Sequence, residues 1–67
     1  MKIYKNAIET DRAFIHFDNI QHFSWTKYQE GYEIKIYSNA GYILQQISKN
    51  DFNKLLLNYI TFKKVID

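Results

Sequence analysis

The chain of 67 residues contains no cysteine and no proline, two glycines, and a single methionine and tryptophan. Without cysteine there can be no disulfide framework and no thiolate metal site, so the staples of many very small domains are excluded. Long apolar runs are missing too. The longest, such as Tyr42-Ile43-Leu44 and Leu55-Leu56-Leu57, are three residues, far short of the ~20 that a membrane-crossing helix needs. Nor is charge of one sign in excess. Nine basic against seven acidic residues leave a formal +2, which is mild for an electrostatically driven nucleic-acid binder and excludes a strongly acidic surface. After Met1, Lys2-Ile3-Tyr4-Lys5-Asn6 shows no apolar segment of a secretion signal, so a cytoplasmic protein is expected.

What the chain does have is apolar and aromatic content. At 46% hydrophobic and 18% aromatic residues it is neither disordered nor collagenous. A chain of this size removes only roughly 60% of its unfolded surface from water, which leaves room for a single domain, 1–67, with one sheet and a helix. Its core must come from twelve aromatic residues and ten isoleucines, or from a partner. Ile, Lys, Asn and Tyr supply 30 of the 67 residues. That bias fits AT-rich coding, as in a low-GC bacterium or a phage or plasmid it carries.

The first two-thirds alternates apolar and polar residues with period two, the signature of antiparallel strands. Ile3-Tyr4-Lys5 reads as a short first strand, Asn6 to Arg12 as its polar connection, and Phe14 to Phe17 as a second strand stopped by Asp18-Asn19. From Ile20 to Tyr28 the chain is extended, with Phe23 and Trp25 on one face and His22, Ser24 and Thr26 on the other. Gln29-Glu30-Gly31 turns it. Tyr32, Ile34 and Ile36 then face the core, with Glu33, Lys35 and Tyr37 outward. Asn39-Ala40-Gly41 makes the next hairpin, because Asn and Gly tolerate positive φ, and Tyr42 to Ile47 forms the last strand.

At Ser48 the period changes. Ser48-Lys49-Asn50-Asp51 resembles a capping box, and Phe52, Leu55, Leu56, Tyr59, Phe62 and Ile66 follow at helical spacing. A helix from about Asp51 to Tyr59 or beyond is expected. Ile60-Thr61-Phe62 and Val65-Ile66 are β-prone and fit either its continuation or a final edge strand. The fold class read from these elements is α+β: a small antiparallel meander of four or five strands with one C-terminal helix packed on the sheet.

Catalytic chemistry finds little support. His16, Asp18 and His22 form an H-x-D-x3-H pattern, but the intervening turn makes convergence on a metal accidental. Ser24 stands two positions from His22 on an extended strand, about 6.6 Å away at ~3.3 Å per residue, so the histidine cannot activate it. No glycine-rich phosphate loop exists, and a chain this thin is not expected to enclose a substrate-sized cleft of several hundred Å3. Gly31 to Tyr37 lacks features of an RNA-recognition strand: Glu30 precedes the glycine where a basic residue is needed, and Ile34 takes the place of an aromatic. The chain is therefore read as non-enzymatic, without cofactor or metal.

Asp18-Asn19-Ile20 entering a strand, Tyr32 to Tyr37, the Asn39-Ala40-Gly41 turn, the helix start at Ser48 and the segment Tyr59-Ile60-Thr61-Phe62-Lys63-Lys64 together set an order of elements. From Phe14 to Val65 that order resembles a LytTR-type DNA-binding domain. The last segment falls at the place of that family's aromatic-x-Arg-x-His-Arg stretch, with Thr61 in place of the arginine and Lys63 of the histidine, and the chain ends before the family's last strands. The resemblance implies a regulatory protein whose Lys63 and Lys64, helped by Lys49 and Lys54, contact nucleic acid. In a bland alternative, Lys63 and Lys64 are solvated and discourage edge pairing.

The aromatic surplus gives a different expectation. A core this small cannot hold all twelve rings, so Trp25, Tyr28, Tyr37 and Tyr42 are expected at the surface. Tyrosine and tryptophan are enriched at protein interfaces. The leading expectation is an interaction module that forms a homodimer or binds a larger protein.

Overall fold

A computed structural model describes residues 1–66, with side-chain surroundings defined as far as Lys64. Its α+β architecture comprises two three-stranded antiparallel sheets and one C-terminal helix. The first sheet contains β1 (Lys2–Ile3), β2 (Ala7–Glu9) and β3 (Phe14–His16), paired in that order with Ile3 opposite Ile8 and Ile8 opposite Ile15. A 3-10 turn, Phe17–Asn19, leads into the second sheet. There β4 (Ile20–Tyr28), β5 (Gly31–Ser38) and β6 (Gly41–Ser48) form a meander, and helix α1 (Lys49–Ile66) follows directly.

The strand count is therefore six rather than four or five. The missed element is β2, within the stretch expected to be a polar connection. Ala7 and Ile8 are fully buried there, but three residues flanked by Asn6 and Thr10 are too few for alternation to register. Its hairpin with β3 is closed by Thr10, whose backbone N–H donates to the Ala13 carbonyl and whose Oγ1 accepts from the amides of Arg12 and Ala13. The first strand is also shifted, Lys2–Ile3 in place of Ile3–Lys5.

Within β5 the expected alternation is present. Ile34 and Ile36 are fully buried, while Lys35 and Tyr37 point to the opposite face. Gly31 opens the strand because a Cβ there would collide with the Ile47 carbonyl. Gly41 follows the second hairpin at φ +121°, a conformation that side chains disfavour. The first hairpin, Gln29-Glu30, instead places the non-glycine Gln29 at φ 52°.

Helix α1 starts as the Ser48 spacing implies, with Ser48 Oγ accepting the Asp51 amide at 3.1 Å. It does not stop at Tyr59: Ile60, Thr61 and Phe62 are helical, and no final strand forms. Tertiary packing overrides β propensity here, since Tyr59 and Phe62 both pack edge-on against buried Phe17 at 5.3 and 5.5 Å. The proposed place of Ile66 in the apolar stripe lies outside the described side chains. Phe52 and Leu55 complete a core with Ile8, Ile15, Phe17, Ile20, Ile34, Ile36 and Ile47. The helix thus packs across both sheets, and Asn58 Nδ2 donates to the Tyr4 carbonyl just beyond β1.

Candidate functional site

In the large sheet, odd-numbered residues of β4 beyond the irregularity at Gln21 and even-numbered residues of β5 face the helix. Their neighbours face away from the helix. On this open face His22, Tyr37 and Tyr42 are cross-strand neighbours. The His22 and Tyr37 rings stack at 4.1 Å with an interplanar angle of 19°, and Tyr37 tilts against Tyr42 at 5.8 Å. In the next row, Lys35 lies between Ser24 and Leu44. Its Nζ sits 4.1 Å from the Tyr42 ring centroid and 5.3 Å from that of Tyr37, within cation–π range. Hydrogen bonding with Tyr37 raises the Lys35 ammonium above its ordinary range, with desolvation acting against it. The result is a ladder of three rings capped by a cation, flanked by exposed Leu44.

The four aromatic residues singled out in the sequence are thus divided between two surfaces. Tyr37 and Tyr42 touch; Tyr28 belongs to the same face but lies at its far end, beside the Gln29-Glu30 turn. Trp25 faces the helix, edge-on to Phe52 at 5.3 Å, yet remains 49% exposed because it stands on the outermost strand. Tyr42 is 57% exposed and Tyr37 half-buried under its neighbours.

Other exposed apolar residues went unnoticed in the sequence. Leu44 follows Tyr42 by two positions, so alternation alone places it on the open face. Leu57 and Ile60, 66% and 52% exposed, are off the helix stripe defined by Phe52, Leu55, Tyr59 and Phe62. Phe14, also exposed, packs against His16 and Tyr4 at the small sheet.

The lysines of α1 do not converge. Lys54 and Lys63 are nine residues apart, about 2.5 turns, and so project to opposite sides of the helix, while Lys49 and Lys64 are separated by roughly 22 Å along it. Lys63 is half-buried, its Nζ 5.4 Å from the Tyr59 ring centroid.

His16 and His22 lie on different sheets, and no group of three or more potential metal ligands occurs among the described residues. One expectation needs correction: a hollow of about 700 Å3 does exist, bordered by Lys5, Asn6, Leu57, Asn58, Thr61 and Phe62. It forms because α1 runs past the β1–β2 turn without filling the space beside it. Its walls are mainly apolar, and Lys5 is the one titratable group among them.

No family model matches the chain, and neither the comparison with curated proteins nor that with solved structures gives a significant match. The LytTR resemblance therefore rests on element order alone. No helix among the described residues is long and apolar enough to cross a membrane.

Proposed function

We propose that the chain is a non-enzymatic protein-interaction module that associates with itself or docks onto a larger protein. The observation that carries this reading is the open face of the large sheet, where His22, Tyr37, Tyr42 and Leu44 form a contiguous ring-rich surface on the side away from the helix, with Tyr42 and Leu44 exposed. Aromatic residues in such a place bury large area at small entropic cost and retain a polar tip, which suits a partner surface better than bulk water. A cysteine-free composition agrees with a reducing cytoplasm, and the coding bias with a bacterial or phage source. The nucleic-acid alternative gains little from the helix, on which Lys54 and Lys63 project to opposite sides and Lys49 and Lys64 stand roughly 22 Å apart along the axis.

The test is a double variant, Tyr37→Ala with Tyr42→Ala. It should weaken assembly, read as intact mass, while far-ultraviolet circular dichroism stays unchanged. Assembly of undiminished strength in that variant would remove the open face as the contact, and a strictly monomeric protein that captures no partner would contradict the reading.

A further inference from the structure

The large sheet has two outer strands, and they are not equally accessible. Beside β6 lie residues of the N-terminal sheet and its turns: Asp11 and Arg12 share one hollow with Leu44 to Gln46, and Ala13 to Ile15 share another with Tyr42 and Ile43. Strand β4 has β5 on one side and no strand on the other among the described residues. Every residue from Ser24 to Tyr28 is exposed.

Hairpin geometry fixes which backbone groups of β4 are free. Residues flanking a two-residue turn form a hydrogen-bonded pair, and bonded and non-bonded pairs alternate from there. Tyr28 and Gly31 flank Gln29-Glu30, so Tyr28, Thr26, Ser24 and His22 bond to β5. Lys27, Trp25 and Phe23 direct their amides and carbonyls outward. Natural edges are usually guarded by proline, several charges or brevity. This one spans nine residues, with no proline and Lys27 as its single charge.

We infer that the partner is a second copy of this chain, joined to the first through β4 in antiparallel pairing about a two-fold axis at Ser24. This rests on the self-association in the reading above and places the contact at the β4 edge rather than on the ring-bearing face. With Ser24 opposite its counterpart, Ile20 meets Tyr28, Gln21 meets Lys27, His22 meets Thr26 and Phe23 meets Trp25, so the strand overlaps along its whole length. The outward-directed Phe23 and Trp25 become hydrogen-bonded partners. Lys27 faces neutral Gln21, and no like charges are opposed. On the helix side, the half-exposed Trp25 of each copy is covered by Phe23 of the other. The bulge at Gln21 bends the start of the strand, so the pairs on either side of Ser24 carry the junction.

The axis yields a clean test because the chain has no cysteine of its own. Residues opposed at a non-hydrogen-bonded position have Cα atoms ~4.5 Å apart, within disulfide reach. Ser24→Cys should therefore oxidise to a covalent dimer. Thr26→Cys should not, since its counterpart is displaced by about four residues, or ~13 Å. Ser24→Lys, which opposes two charges at an exposed position, should shift sedimentation toward the monomer at least tenfold in concentration while leaving the melting temperature of the dilute protein unchanged. Equal cross-linking of the two cysteine variants, or a dimer unaffected by Ser24→Lys, would overturn the pairing. A dimer abolished by Tyr37→Ala with Tyr42→Ala but resistant to Ser24→Lys would overturn it while leaving the interaction reading intact. Wild-type protein sedimenting as a single 8.1 kDa chain at every concentration would overturn it as well.

Discussion

The two faces of the β4–β6 sheet are built from the same three strands, yet they end up in different physical states. On the covered face Ile34, Ile36 and Ile47 are buried under Phe52 and Leu55, and Phe23 and Trp25 meet rings of the helix edge-on. On the open face His22, Tyr37 and Tyr42 pack against one another and Lys35 instead of against the helix. Period-two alternation gives both faces apolar surface, while the chain has a single helix with which to cover one. The difference separates residues that hold the fold from residues available to a partner.

The largest effect should come from Phe17→Ala. This ring is fully buried between Tyr59 and Phe62 and links the small sheet to the helix. A loss of ~3–5 kcal/mol is expected, enough to abolish cooperative thermal unfolding in a domain whose total stability is on the order of 5–15 kcal/mol. Gly31→Ala should cost about 1–3 kcal/mol, because the added Cβ presses on the β6 backbone at Ile47. Chemical denaturation should show this as a lower midpoint with an unchanged slope. Removing the helix cap by Ser48→Ala should cost ~1 kcal/mol in the same assay.

On the open face, Tyr37→Ala should cost the isolated chain no more than about 1 kcal/mol, the scale of a cross-strand pair. A loss comparable to that of Phe17→Ala would erase the distinction between the faces. The smallest effect concerns Tyr4, whose hydroxyl donates to Glu9 Oε1 at 3.0 Å. That bond, with desolvation and the Glu9 charge, raises the Tyr4 pKa above its ordinary value of 10.0. The contribution to stability is thus complete below pH 10 and is lost as pH rises through the folded value. Ultraviolet titration should show one tyrosine ionising late, and Glu9→Gln should bring it earlier.

Much of this architecture is legible in the residues. Strand β5 and the start of α1 follow from alternation and from Ser48 because each is long enough, or specific enough, to leave a pattern. Strand β2 leaves none, since it has three residues and its adjacent Ala7 and Ile8 are both buried, so there is no alternation to read. The end of α1 is equally hidden: Ile60 to Phe62 favour strands locally, and packing of Tyr59 and Phe62 on Phe17, with Tyr59 also against Phe23, favours the helix. For the candidate site, alternation places Tyr28, Tyr37 and Tyr42 on one face and would have added Leu44. It also puts Trp25 on the opposite face, and what exposes that ring is its position on an outer strand, which depends on sheet order rather than on any local signal.

Amide hydrogen exchange along β4, measured at low and high protein concentration, tests most directly whether this sheet is completed by a second copy. Ser24 and Thr26 amides, bonded to β5, should exchange slowly at both concentrations, whereas those of Phe23, Trp25 and Lys27 should become slow only at the higher one. Fast exchange of Phe23, Trp25 and Lys27 at every concentration would contradict that completion.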